Sequence, residues 1–94
     1  MLYIFTLKDK NSFFNTIYIS TKEELIEKLI WNKKYIPELW SHIPDKDILN
    51  HYSEKELVET LYNDEECIAI HEIGRADMIR ILKYIKDNKI KLSI

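Results

Sequence analysis

Residues 71–78, HEIGRADM, bring together the chain's only glycine, one of its two arginines, one of its three histidines and two carboxylates. Read as chemistry, His71 would serve as a base and Arg75 as an anion clamp, with Glu72 beside them. Read as architecture, the same residues are a corner where a strand becomes a helix. Strand alternation puts His71 and Ile73 on one face and Glu72 on the other. Gly74 tolerates a positive φ at the break, and Asp77 falls in the first helical turn, where a carboxylate complements the helix dipole. One glycine is too few for a P-loop or a dinucleotide fingerprint, both of which use several so that backbone can approach phosphate. The corner is therefore the stronger reading, with a site at His71, Glu72 and Arg75 as the lesser alternative.

His42, Asp45, Asp47 and His51 are the next candidates, because Asp47 and His51 would share a face if residues 45–52 were helical. Two such ligands do not complete a metal site: the zincin pattern needs HExxH with a third ligand, and the EF-hand needs a longer acidic loop with glycine. Asp45 is more simply a helix N-cap and His51 a surface residue, so no metal and no other cofactor is expected. Cys67, the sole cysteine, has no partner for an internal disulfide and opens the apolar run Cys67-Ile68-Ala69-Ile70. Asp64, Glu65 and Glu66 just before it would hold the thiol protonated, which makes it a poor nucleophile. No catalytic constellation emerges, and the expectation is a protein that is not an enzyme.

Charge carries more information than any motif. Residues 38–72 hold ten carboxylates against two lysines, a net of −8, while residues 75–94 hold six cations against two carboxylates, a net of +4. The chain total of −2 hides this dipolar arrangement. Glu38, Asp45, Asp47, Glu54, Glu56, Glu59, Asp64, Glu65 and Glu66 would form an acidic face that repels nucleic acid and steers toward a basic protein partner. Trp31, Tyr35 and Trp40 are aromatic contacts in reserve, since aromatic side chains dominate interface hot spots. Their competing role is core and rim packing. The opposite end offers Arg75, Arg80, Lys83 and Lys86 as a basic face for phosphates, although lysines outnumber arginines twelve to two and base readout leans on arginine.

The elements that would position these residues follow from local pattern. LYIFTLK (2–8) and FFNTIYIS (13–20) read as a β-hairpin closed by DKNS, and the first strand, apolar on both faces, is expected at the centre of its sheet. Ser20 and Thr21, with Glu23 and Glu24 three residues on, start a helix over 22–34 whose stripe is Leu25, Ile26, Leu29 and Ile30. Pro37 and Pro44 divide the next stretch into two short helices. Ser53 with Glu56 caps a helix burying Leu57, Val58, Leu61 and Tyr62. A strand over 66–73, a helix over 76–88 with Met78, Ile81, Leu82 and Ile85 inward, and the alternating KIKLSI as a closing edge strand complete the chain.

This order, ββ, three or four helices, then β, α, β, predicts a single α+β domain over residues 1–94. The hairpin and two further strands form one sheet packed against several helices, and the last two strands form a parallel pair joined by a crossover helix. At 94 residues, 46% apolar and 32% charged, the composition is that of one globular core. No signal peptide or membrane-spanning run is legible, and a lone cysteine suits a reducing compartment, so a cytoplasmic protein without membrane contact is expected. The lysine- and isoleucine-rich bias is that of AT-rich coding, as in a bacterium, phage or plasmid.

The functional expectation is a small stoichiometric inhibitor of anti-defence, immunity or antitoxin type, phage or mobile-element encoded. It would dock its acidic surface on a basic, nucleic-acid-binding protein. The alternative is a nucleic-acid-binding regulator using residues 75–91. The exposed edge of KIKLSI would also allow a homodimer.

Overall fold

The computed structural model describes residues 1–87 and 92–93, with the backbone alone for 75–78, 84, 85, 92 and 93. Leu2–Asp9 (β1) and Asn15–Thr21 (β2) form the antiparallel hairpin. Lys22–Tyr35 (α1), Pro37–Trp40 (α2), Lys46–Leu49 (α3) and Glu54–Leu61 (α4) follow, then Glu65–Ile73 (β3), Arg75–Asp87 (α5) and Leu92–Ser93 (β4). The α+β class and the element order are as the sequence pattern predicts.

Helix starts obey their local signals. Thr21 caps α1, its Oγ1 accepting from the Glu24 amide at 3.1 Å, while the Ser20 hydroxyl donates to the Glu24 carboxylate at 3.3 Å. Ser53 and Glu56 form a complete capping box at α4: Ser53 Oγ accepts from the Glu56 amide and Glu56 Oε1 from the Ser53 amide, both at 3.1 Å. Pro37 opens α2, where its missing N–H costs nothing. S53A is expected to lower stability by about 1 kcal/mol through loss of the cap. Urea unfolding would measure this, and an unchanged midpoint would show that α4 is held by packing alone.

The strands lie in the order β3-β1-β2-β4, so β1 is central, as its two apolar faces require. Phe5 pairs across to Tyr18 on one side and Ile70 on the other. Phe5, Leu7 and Cys67 face a core closed by Leu25, Ile26 and Leu29 of α1, Ile43, Leu49, and Leu57 and Val58 of α4. Ile30, Leu61 and Tyr62 pack at its margin. Ile19, whose register with Ile4 places it on the opposite face, is buried too. Since α1 to α4 share the first face, α5, which carries the chain from one sheet edge to the other, is the helix available to that side.

Three expectations are corrected. β3 and β4 run parallel to each other but are not neighbours: β3 pairs with β1 and β4 with β2, so the hairpin lies between them. The nine-residue β3 covers the edge of β1, the strand that is apolar on both faces. The second strand begins at Asn15, not at residue 13, so Phe13 and Phe14 belong to the hairpin loop. Residues 45–52 do not form one helix either: α3 is a single turn capped by Asn50, and His51 lies beyond it. A bulge between Thr6 and Leu7 in the β1–β3 pairing adds one residue to β3, which brings both Cys67 and Ile70 to the core face although they are three apart.

Candidate functional site

Alternation along β3 separates the residues of the HEIGRADM corner. His71 is in register with Ile4 and Glu72 with Tyr3, so their side chains leave opposite faces of the sheet and cannot act on one group. Gly74 is the single residue between β3 and α5, as a strand-to-helix corner demands. The side chains of Arg75, Asp77, Met78 and Ile85 lie outside the described residues, as do Lys89 and Lys91 and most of KIKLSI. The Leu92–Ser93 portion is an edge strand against β2.

His42, Asp45, Asp47 and His51 are all exposed. Asp45 pairs with Lys33 at 3.2 Å, His42 stacks on Trp40 at 6.3 Å, and with His51 past the end of α3 the i, i+4 relation to Asp47 is lost. Among the described residues no three His, Cys, Asp or Glu side chains gather to hold a metal ion. Cys67 is buried, its Sγ–H donating to the Ala69 carbonyl at 3.5 Å and its amide to Glu59 Oε2 at 3.2 Å. Burial pushes its thiol pKa up, and the Glu59 carboxylate adds to this against the Ala69 bond and Lys55. The carboxylate that acts on the thiol thus comes from α4, not from the preceding residues 64–66.

The aromatic candidates divide. Trp31 and Tyr35 are exposed one turn apart on α1 with ring centroids 4.9 Å apart, and Lys34 lies 5.3 Å from the Tyr35 ring. Trp40 packs at the edge of the core. The basic candidates Arg80, Lys83 and Lys86 are exposed on α5.

The nine acidic candidates do not make one continuous face. Glu38 lies on α2, and Asp45 and Asp47 lie at α3. Glu54, at the start of α4, accepts from the Tyr3 hydroxyl at 3.4 Å. Burial, then Glu54, Glu72 and Glu23, hold that hydroxyl above the usual tyrosine range. Glu56 is occupied by the capping box and Glu59 by the Cys67 amide. The remaining three, Asp64, Glu65 and Glu66, sit at the other end of β3, and there the fold adds a carboxylate from a distant segment, Asp9.

That corner holds carboxylates that no ion pair neutralises among the described residues. Asp9 lies directly opposite Glu65 in the antiparallel β1–β3 ladder, an arrangement in which like charges repel. The Lys10 amide donates to the Asp64 carbonyl at 3.1 Å, tying the hairpin loop to the α4–β3 turn and carrying Asp9 alongside Asp64. Lys10 Nζ is spent on the Asn63 carbonyl at 3.3 Å, and Lys8 faces Glu66 across the ladder without closing to an ion pair. Among the described residues the one ion pair is Lys33–Asp45. Glu65 Oε2 is buried with no hydrogen-bond partner among the described residues. Asp9, Tyr18, Tyr62, Asp64 and Glu65 line a shallow hollow here, in which the two tyrosine rings stack with centroids 4.3 Å apart.

Burial, with the Glu65 charge second, pushes the Tyr18 hydroxyl up to about 12. Ultraviolet titration of the six tyrosines is expected to show one holding its proton to about pH 12, and E65Q should lower that midpoint. Because its folded pKa lies above the unfolded value of 10.0, Tyr18 contributes its full stability below pH 10 and loses it as the pH climbs toward 12. All six ionising together near 10 would remove Glu65 from the Tyr18 environment.

Asp9 and the Phe13–Phe14 pair are functional candidates that sequence reasoning missed. Phe13 is 100% and Phe14 80% exposed at the hairpin tip, where Phe13 borders Lys8 and Lys10. The legible signal was the pair itself, since two adjacent bulky residues cannot both point into one core from a strand. Asp9 carried no such signal, because its meaning depends on a partner 56 positions away.

No helix among the described residues is long and apolar enough to cross a membrane. No family model, curated protein or solved structure matches the chain.

Proposed function

We propose that this chain is a non-enzymatic binding protein that docks an acidic surface on a basic, nucleic-acid-binding protein and blocks it, as a stoichiometric inhibitor of anti-defence, immunity or antitoxin type encoded by a phage or mobile element. The observation that carries this reading is the corner where Asp9, Asp64 and Glu65 line one hollow, with Glu66 next to it on the other face of the sheet. Facing carboxylates with no ion pair there cost folding free energy. Local conflicts of this kind concentrate where function demands them, and cations from a partner would relieve the repulsion. A buried, protonated Cys67 and a His71 and Glu72 on opposite faces support binding over catalysis.

The test is capture from host lysate with tagged protein at low and moderate salt, with and without nuclease. One basic protein retained at near-equal stoichiometry, insensitive to nuclease and weakened by salt, is the expected result. Retention of nucleic acid, or of proteins lost after nuclease, would instead favour the second reading, phosphate contact by Arg80, Lys83 and Lys86, which α5 leaves exposed.

A further inference from the structure

The hairpin tip presents two apolar rings with nothing over them, Phe13 at 100% and Phe14 at 80% exposure. Their turn is nonetheless bonded in place. The Asn11 amide donates to Asp9 Oδ1 at 2.8 Å and the Phe14 amide to Ser12 Oγ at 3.2 Å, so the rings stand out from a built loop. Exposed apolar groups of this kind mark contact with another protein or with a membrane.

Charge at the tip is sorted by face. Phe13 shares a hollow with Lys8, Lys10, Asn11 and Ser12, and no carboxylate lines it. Alternation along β1 turns Asp9 the other way, into the tyrosine hollow that holds Asp64 and Glu65. Lys10 Nζ rests on the Asn63 carbonyl at 3.3 Å, a neutral acceptor that leaves the ammonium charge uncompensated. Glu66 lies across the ladder from Lys8 and forms no ion pair with it. Further cations come from α5. That helix leaves β3 at Ile73, at the end away from the hairpin loop, and β4 begins beside Ile17, near the loop. The crossover therefore carries the exposed Lys83 and Lys86 back toward the tip.

We propose that the Phe13–Phe14 tip docks on the surface of an anionic bilayer, the two rings entering the interfacial layer while Lys8 and Lys10 meet phosphate-bearing headgroups. The lysines select negatively charged lipid over neutral lipid. Shape favours lipid over a single-stranded nucleic acid, the other partner with anionic and apolar parts. Bases stack on aromatic platforms set in a groove that tracks the backbone, whereas these rings project from a convex turn. A fluid interface takes such a projection without a preformed cleft. The expectation of no membrane contact rested on spanning runs and leader segments, and contact at a bilayer surface needs neither. Two rings and a few lysines make the association weak and reversible. It uses a different side of the tip from the acidic corner, so it and the inhibitor reading can fail separately.

The experiment is flotation of the purified chain with vesicles of phosphatidylcholine alone, or with about 30% phosphatidylserine added, at low and moderate salt. The wild-type chain is expected to float with the serine-lipid vesicles at least about tenfold more than with the neutral ones, and less as salt rises. F13S/F14S should lower the partition by at least about 30-fold, since both apolar groups are lost. K8S/K10S should lower it by about 5- to 30-fold. In F13W, the emission added to that of the wild-type chain should shift to the blue on vesicle binding and be quenched by lipid brominated on its acyl chains. No flotation of the wild-type chain with anionic vesicles would overturn the proposal. So would F13S/F14S floating as the wild type does, or an unshifted F13W emission in the bound state. Tip-dependent binding of a single-stranded oligonucleotide, with no binding of vesicles, would overturn it in favour of nucleic acid.

Discussion

F5A is expected to destabilise the protein by about 3–5 kcal/mol, whereas F13A should change stability by no more than about 0.5 kcal/mol. The two residues are chemically identical and both lie in or beside the hairpin, so the comparison isolates tertiary placement. Phe5 is fully buried on the central strand, between Tyr18 and Ile70 across the ladders and in one core with α1 and α4, so removing its ring forfeits core contacts and leaves a cavity. Phe13 is fully exposed and loses no contact with the core. A loss of that size is a large share of the roughly 5–15 kcal/mol that holds a domain together, so F5A should bring the chemical midpoint close to zero denaturant. Equal costs for the two substitutions would mean that the tip packs against something and that the hairpin ends earlier than Asn15.

Reversing the acidic corner with D64K/E66K should weaken binding to the captured partner by about 30- to 1000-fold, equivalent to about 2–4 kcal/mol, because each reversal replaces an attraction to a basic surface with a repulsion. The salt dependence of the remaining affinity should flatten as well. D64K dilutes the repulsion around Asp9 and Glu65, whereas E66K sets a lysine opposite Lys8, so the pair should leave folding stability unchanged or slightly lower. E38K, on α2 and exposed, serves as the comparison and should cost little. If E38K weakens binding as much as D64K/E66K, the docking surface lies over α2 and α3 and the corner is not its centre. Titration calorimetry on the three proteins distinguishes these outcomes, and urea unfolding of each separates binding from stability.

The sequence by itself determined the parts of this protein whose causes are local. Ser53 and Glu56 announced the start of α4 because a capping box closes within four residues, and the spacing of Leu25, Ile26 and Leu29 announced the buried side of α1 because helical periodicity repeats within two turns. Pro37, Pro44 and Gly74 marked breaks because they act on their own backbone or that of the preceding residue. The central position of β1 was legible too, since both of its faces are apolar.

Tertiary structure decided whatever depends on a partner far along the chain. Strand order is one such case: the apolar pattern of β3 is equally compatible with β4 or β1 as its neighbour, and the choice rests on which edge leaves the most buried surface covered. The bulge that turns Cys67 inward exists only in the pairing of β3 with β1. The acidic stretch read as one face along the chain, but the fold drew Glu54, Glu56 and Glu59 into bonds with Tyr3, Ser53 and Cys67, set Glu65 opposite Asp9 across the sheet and set Glu66 opposite Lys8. Charge is a property of composition and can be counted in order. Which charges remain unpaired, and which apolar side chains such as Phe13 remain uncovered, is set by contacts between distant segments, and those form only when the sheet and helices close on one another.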